Sequence, residues 1–315
     1  MKNPFFSVIV PSYNRSDFLP KAITSVLRQS FSSFELIIID DGSTDCTYDV
    51  VNDFVLQDSR VRYIYQVNSE RGAARNTGIN SSCGKWISFL DSDDEYMIHH
   101  LQLLFEFVSE QTTNSLVVFK YLISDSVNTR ESETCRLSEE DIGLNALLKG
   151  NPFACNYAIS NSAGPIFPFL ESRLLSSMED WIFLIQNVPT HGLSLMPRPS
   201  VILLDHVGRS MNANQSVIRA RLCAINFLCS NTCDLSLSQL KTLTAYSYLF
   251  CAIHSYLDNK RYDSLGFFVK STRYRIKLAF KLDYILKFLL GRKLIVLILS
   301  FLESQNFGFK KIASI

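Results

Sequence analysis

The sequence predicts an α/β protein in which a mainly parallel sheet carries helices on both faces and is followed by a helical C-terminal appendage. Three observations carry this reading. Short β-branched apolar runs alternate with amphipathic segments over the first hundred residues, which is the pattern of strands joined by crossover helices. Each run ends abruptly in a polar or acidic cluster, and from about Gln215 onward the periodicity is helical throughout. A boundary near residue 214 therefore divides an α/β domain, 1–214, from a helical, basic and apolar region, 215–315.

The elements follow in order. Phe5 to Val10 reads as a buried strand and leads through Pro11-Ser12-Tyr13-Asn14 into a helix over Asp17 to Gln29, with Leu19, Ile23, Val26 and Leu27 on its apolar face and Ser16 as its cap. Phe34 to Ile39 is the next buried strand, ending in Asp40-Asp41-Gly42-Ser43; a helix over Thr44 to Leu56 and a strand over Val61 to Gln66 follow. A helix from Gly72 to Ser82 precedes the strand Trp86 to Leu90, which ends in Asp91-Ser92-Asp93-Asp94. Further on we expect a helix over His99 to Glu110, a strand over Leu116 to Ile123 and a helix over Glu139 to Lys149. Asn151 to Leu170 reads as irregular structure over the crevice, a helix starts near Glu179, and Val201 to Leu204 is a strand.

A hydrophobic content of 47% with 19% charged residues excludes a disordered chain. The net charge of +1 hides an asymmetry: from Asp258 onward twelve Lys and Arg face four acids, a net +8, which leaves −7 for the remainder. An acidic body with a basic, apolar tail points to an anionic membrane surface as the tail's neighbour and away from nucleic acid. Within the tail, Tyr284 to Leu302 is strongly apolar but broken by Lys287, Gly291, Arg292 and Lys293, and the run Leu294 to Leu302 is nine residues. That is about half of the roughly 20 needed to cross a bilayer, so the expectation is a helix lying in the membrane plane or, alternatively, an appendage packing on the body or on a second copy of the chain. The eight cysteines form no CxxC pair and adjoin no histidine cluster, and they read as thiols of a reducing compartment. The apolar run at the N-terminus stops at Pro11, which is not the pattern of a signal peptide, so the expected location is the cytoplasm, peripheral to the inner face of the cell membrane.

In a parallel sheet the ligand crevice lies outside the carboxyl ends of the strands. Pro11 to Asn14, Asp40 to Ser43 and Asp91 to Asp94 each follow a strand and should line one crevice. Clustered carboxylates there suit Mn²⁺ or Mg²⁺ shared with substrate phosphates; an acidic surface turn is the plain alternative.

FSVIVPSYNR, ELIIIDDGSTD, RGAARNTGI, WISFLDSDDEY and MEDW, in this order and spacing, resemble the nucleotide-sugar-dependent glycosyltransferases of family 2, which have the GT-A fold. The resemblance runs from about Phe5 to Ser210. It implies an inverting transfer from a nucleoside diphosphate sugar, a UDP-sugar, to a glycan or lipid-linked acceptor of bacterial surface polysaccharide synthesis. It further implies that Pro11, Tyr13, Asn14, Asp41, Arg75, Asp91 and Ser92 bind the donor and that Asp93 and Asp91 hold a divalent metal. Asp180 of MEDW matches the family's general base, and Glu179 beside it either supports the acceptor or favours the positive end of a helix. His206, in DHVGRSMN, is similar to a later family turn and would complete the metal shell or touch the diphosphate; the tyrosine-arginine lead-in to that turn is replaced by Leu203-Leu204-Asp205. A catalytically inactive nucleotide-sugar-binding or scaffold protein of the same fold is the alternative. A sugar nucleotidyltransferase should show a Gly-rich loop after the first strand, and PSYNRSD is not one; the lack of GxGxxG argues equally against a dinucleotide-dependent oxidoreductase.

Overall fold

The computed structural model describes residues 3–110, 114–125, 127–206, 214–230, 235–280 and 288. The chain divides into two compact units, one ending at residue 210 and the other beginning at 211.

The first unit is built on a seven-stranded sheet. Its strands are β1 (Phe6–Ser12), β2 (Phe34–Asp40), β3 (Val61–Tyr65) and β4 (Trp86–Phe89), joined by the helices α1 (Leu19–Leu27), α2 (Thr47–Gln57) and α3 (Glu70–Ser81). Beyond them come β5 (Glu95–Tyr96), α4 (His100–Glu110), β6 (Leu116–Val118), β7 (Tyr121–Ser124), β8 (Thr129–Glu131), α5 (Leu144–Leu147), β9 (Tyr157–Ser160), α6 (Glu179–His191), β10 (Ser194–Leu195) and β11 (Val201–Leu204). The sheet order is β10-β6-β9-β4-β1-β2-β3, and a smaller sheet runs β5-β11-β7-β8.

Alternation of side chains along β1 and β2 explains the two covered faces. Phe6, Val8, Val10, Leu36 and Ile38 share a core with Leu19, Ala22, Ile23 and Val26 of α1 and Val51 of α2. Ile9, on the opposite face, meets α3: a Cβ on Gly78 would lie 2.4 Å from its Cγ2, so only glycine lets that helix approach so closely. The strands β1 to β4 are mutually parallel, with Ile9 opposite both Ile37 and Phe89. Their carboxyl ends consequently lie side by side, as the alternation of elements predicts.

Four expectations need correction. The run Leu116 to Ile123 is two strands in different sheets, because the chain leaves the large sheet at Phe119-Lys120 and re-pairs with β11. Apolar periodicity does not register such a bend. Glu139 to Lys149 is a 3₁₀ turn (Glu139–Asp141) followed by α5, interrupted at Gly143, whose φ of 127° is incompatible with a continuous helix. The segment Asn151 to Leu170 contributes β9, which inserts antiparallel between β4 and β6 and makes this half of the sheet mixed. Ser16 does not cap α1; its N–H donates to Asp45 Oδ2 at 3.1 Å, and Phe18 occupies the cap position.

The second unit contains α7 (Asn214–Cys229), α8 (Leu237–Leu257) and α9 (Arg261–Tyr274), in keeping with the helical reading. Ala245, Leu249, Ala252, Phe268, Leu278 and Phe288 form its core. Among the described residues no helix is long and apolar enough to cross a membrane; the stretch Tyr284 to Leu302 lies, apart from Phe288, outside them. The described cysteines are all free thiols.

Candidate active site

The crevice is assembled at the carboxyl ends of β1, β2 and β4. Beyond β1, Asn14 adopts a left-handed conformation with φ 51° and ties two strand ends together: its N–H donates to Ser43 Oγ at 2.9 Å and its Oδ1 accepts from the Thr44 N–H at 2.8 Å. Pro11 is buried within β1 opposite Ile39, whereas Tyr13, just beyond the strand, is 49% exposed. Asp40 is buried and satisfied internally by the Ser43 N–H and the Tyr63 hydroxyl, at 2.8 and 2.6 Å, so it shapes the turn. Asp41 accepts from Gln66 Nε2 at 2.6 Å and the Ser69 N–H at 2.9 Å, both on Oδ1.

The turn after β4 gathers three carboxylates. One oxygen each from Asp91, Asp93 and Asp94 lies within 4.8 Å of the others. Hard oxygen donors this close repel one another unless a cation shares them, and the set fits a divalent ion such as Mg²⁺ or Mn²⁺. Asp94 is buried and its Oδ1 accepts from the Leu204 N–H at 3.1 Å, which fastens the turn to β11. Asp93 Oδ2 lies 2.8 Å from His206 Nε2, and the imidazole rests over Phe18 with ring centroids 4.9 Å apart. Ser92 is buried between the carboxylates.

On the opposite wall stands the first turn of α6. Asp180 is partly buried; its Oδ2 accepts from Asn151 Nδ2 at 2.9 Å and its Oδ1 from the Trp181 N–H at 2.7 Å. Burial, reinforced by the neighbouring negative charge of Glu179, pushes its carboxyl up to about 7, against the opposing pull of Arg75. The Trp181 indole N–H donates to Leu147 O at 2.6 Å and anchors the helix start.

Arg75 joins the two walls. Its Nη2 lies 2.8 Å from Asp91 Oδ1 and its Nη1 2.8 Å from Glu179 Oε1, while the guanidinium carbon lies 5.3 Å from the centre of the Phe169 ring. Arg71 approaches Glu179 more loosely, at 3.8 Å. Asn76, on the same helix, exchanges hydrogen bonds with the backbone of Phe169 at 2.9 Å each way.

The structure thus brings Asp41, Arg75, Asp91, Asp93, Asp180 and His206 to one end of the sheet and places Pro11 in the strand beneath them. Sequence reasoning missed Gln66, Asn151, Cys155 and Tyr157. None sits in a recognisable motif; Gln66 follows a strand that periodicity did define, whereas Asn151, Cys155 and Tyr157 lie in a segment read as irregular. Tyr157, in β9, is fully buried, close to Cys155.

Comparison with known proteins follows the same lines. The family model described as glycosyl transferase family 2 matches residues 7–167. TuaG of Bacillus subtilis, a glycosyltransferase named for teichuronic acid biosynthesis, is 39% identical over 110 residues, covering 35% of this chain and 44% of that protein. The matches span less than half the length of the curated relatives. Among solved structures, S. aureus TarS 1–349 in complex with UDP-GlcNAc superposes with a TM-score of 0.59 at 15% identity, covering 85% of this chain and 91% of that one. The mannosyltransferase PcManGT from Pyrobaculum calidifontis, in complex with GDP-Man and Mn²⁺, gives 0.57 at 12% identity, covering 98% and 82%. With five motifs set around one crevice and the family model covering half of the sequence, the chain belongs to glycosyl transferase family 2 and has the GT-A fold.

Proposed function

We propose that the protein is an inverting glycosyltransferase that moves a sugar from a UDP-sugar to a hydroxyl of a glycan or lipid-linked acceptor in bacterial surface polysaccharide synthesis. The observation that supports the reading is that Glu179, the neighbour of Asp180, is linked through Arg75 to Asp91 of the acidic turn. A carboxylate with its affinity for protons raised to about 7 is suited to take a proton from an attacking hydroxyl near neutral pH. As that proton moves to Asp180, the acceptor oxygen forms its bond to the anomeric carbon. The carbon–oxygen bond to the diphosphate breaks on the opposite side, and the diphosphate leaves with the electron pair, which inverts the anomeric centre.

Asp91 and Asp93, with His206 as a further ligand, would hold a divalent cation, which supplies neutralisation of the charge growing on the departing diphosphate. Tyr13 offers an aromatic face at the rim for the base, and Asp41 a carboxylate oxygen for its edge or the ribose. The complexes of TarS with UDP-GlcNAc and of PcManGT with GDP-Man and Mn²⁺ support a nucleotide-sugar donor and a metal. TuaG supports a polysaccharide product. The basic, apolar tail would hold the protein at the cytoplasmic face of the membrane, beside lipid-linked acceptors, or pair two copies of the chain.

The test is release of nucleoside diphosphate from UDP-GlcNAc, UDP-glucose, UDP-galactose and GDP-mannose, with Mn²⁺ and a lipid extract of a polysaccharide-forming bacterium as acceptor. Release from a UDP-sugar that Asp180→Asn loses supports the reading. Release unaffected by Asp180→Asn removes Asp180 as base, and none from any donor favours the inactive binding protein.

A further inference from the structure

The four nitrogen-bound hydrogens on the Arg75 Nη atoms are what a diphosphate would seek, yet both Nη atoms already hold protein carboxylates. Arg75 is 1% exposed, and Glu179, its partner at 2.8 Å, is 2% exposed. The ring of Phe169 lies against the guanidinium. The helix that carries Arg75 is fixed on both sides: Gly78 packs on Ile9, and a Cβ on Gly72 would stand 2.3 Å from Leu170 O. The guanidinium thus offers almost no open surface to a donor.

Burying such a pair costs several kcal/mol of desolvation per ion, and the attraction between the partners repays it only when every polar atom is satisfied. Here it is not: among the described residues, Arg75 Nε and Glu179 Oε2 are buried without a hydrogen-bond partner. The network is therefore a poor device for stability alone. What it does achieve is geometric, because Asp91 belongs to the acidic turn after β4 and Glu179 immediately precedes Asp180 in α6.

We propose that Arg75 is a positioning residue that does not touch the donor: its guanidinium clasps Asp91 on the donor side and Glu179 on the acceptor side, so that the base is held in register with the acidic turn. The inference rests on the reading of Asp180 as the base. It makes Glu179 the counter-ion of Arg75, and neither an acceptor ligand nor a helix-end charge.

The clasp also sets the charge around Asp180, and this gives a readout that loss of packing would not imitate. The charged and titratable groups near Asp180 are Glu179 on its own helix, Arg75 from α3, Asp91 from the turn after β4, and Cys155 and Tyr157 from β9 and the loop before it. Arg71 approaches the same Glu179. Cys155 and Tyr157 stay neutral, since burial pushes both the thiol and the phenol upward. Removing the cation should therefore raise the Asp180 midpoint, and removing the Glu179 charge should lower it.

The experiment is carboxyl ¹³C NMR titration of the full chain labelled at aspartate, with the Asp180 resonance assigned from Asp180→Asn. Arg75→Met is expected to move the Asp180 midpoint up by about one pH unit and Glu179→Gln to move it down by a similar amount, with the double variant in between. Shifts of both single variants in one direction, as general loosening would give, overturn the proposal. If Arg75→Met does not fold, Glu179→Gln decides alone, and an unmoved midpoint in it also overturns the proposal. The titration uses neither donor nor acceptor, so failure of the clasp and failure of the transferase reading are scored separately.

Discussion

Asp93 and His206, 113 positions apart in the chain, meet at 2.8 Å with the imidazole laid over Phe18. Three loops are joined at that point: the one after β1, the acidic turn after β4 and the one after β11. If a metal binds on this turn, His206 either ligates it or orients Asp93 toward it. His206→Ala is expected to weaken Mn²⁺-dependent UDP binding about 10–100-fold, the usual effect of losing a ligand's orienting partner. Asp93→Ala should abolish it. Calorimetric titration of UDP in the presence of Mn²⁺ separates the two.

Asp180 supplies a pH-dependent prediction. Its folded carboxyl sits at about 7 against an ordinary 3.8, so between these values the folded protein holds a proton that the unfolded chain has released. Stability therefore falls as pH rises through that window. Asp180→Asn removes the fall and should be no more stable than the parent at pH 4 but more stable at pH 8, by about 2 kcal/mol once solvent screening is allowed for. Thermal melts at both pH values check this. Transfer should follow the deprotonated form, rising with pH to a plateau above about 7, and should drop by a factor of about 10²–10⁴ in the variant.

The half of the fold that sets out the crevice was legible because β1 to β4 and their helices are local: each strand is a short, mainly apolar run and each connection a single helical segment. Asp91, Asp93 and Asp180 could be placed from motifs, and the rule for parallel sheets brought the turns after β1, β2 and β4 together. What could not be read depends on pairing over long separations. β9 is four residues long and finds its place only between β4 and β6. The Arg75–Glu179 ion pair joins residues 104 apart, and nothing in either local sequence announces it. Asn14 ties the ends of β1 and β2 together through Ser43 and Thr44, a link that a sequence motif does not reveal.

Gly78 tests how the floor of the crevice is supported. A methyl group there would enter the space of the Ile9 side chain, with contacts of 2.4 to 3.0 Å. Gly78→Ala should destabilise the protein by about 1–3 kcal/mol, the usual range for overpacking, although alanine is the better helix former. Denaturant unfolding gives the magnitude. A truncating substitution, Ile9→Ala, should cost less in the Gly78→Ala background than in the wild type, because it vacates the space the new methyl enters.

The tail makes a separate prediction. Deleting residues after Leu282 removes the apolar, basic stretch and should abolish sedimentation with vesicles containing anionic lipid, while Mn²⁺-dependent nucleotide binding persists. Continued sedimentation of the truncated protein would place the lipid contact elsewhere.

The central claim is a nucleotide-sugar site that needs its acidic turn. Calorimetric binding of UDP, GDP, dTDP and CDP, each with and without Mn²⁺, to the wild type and to Asp93→Ala tests it most directly. The account predicts selective binding of UDP that requires Mn²⁺ and disappears in the variant. Binding that ignores Mn²⁺ and survives Asp93→Ala, or no binding of any nucleotide, would contradict it.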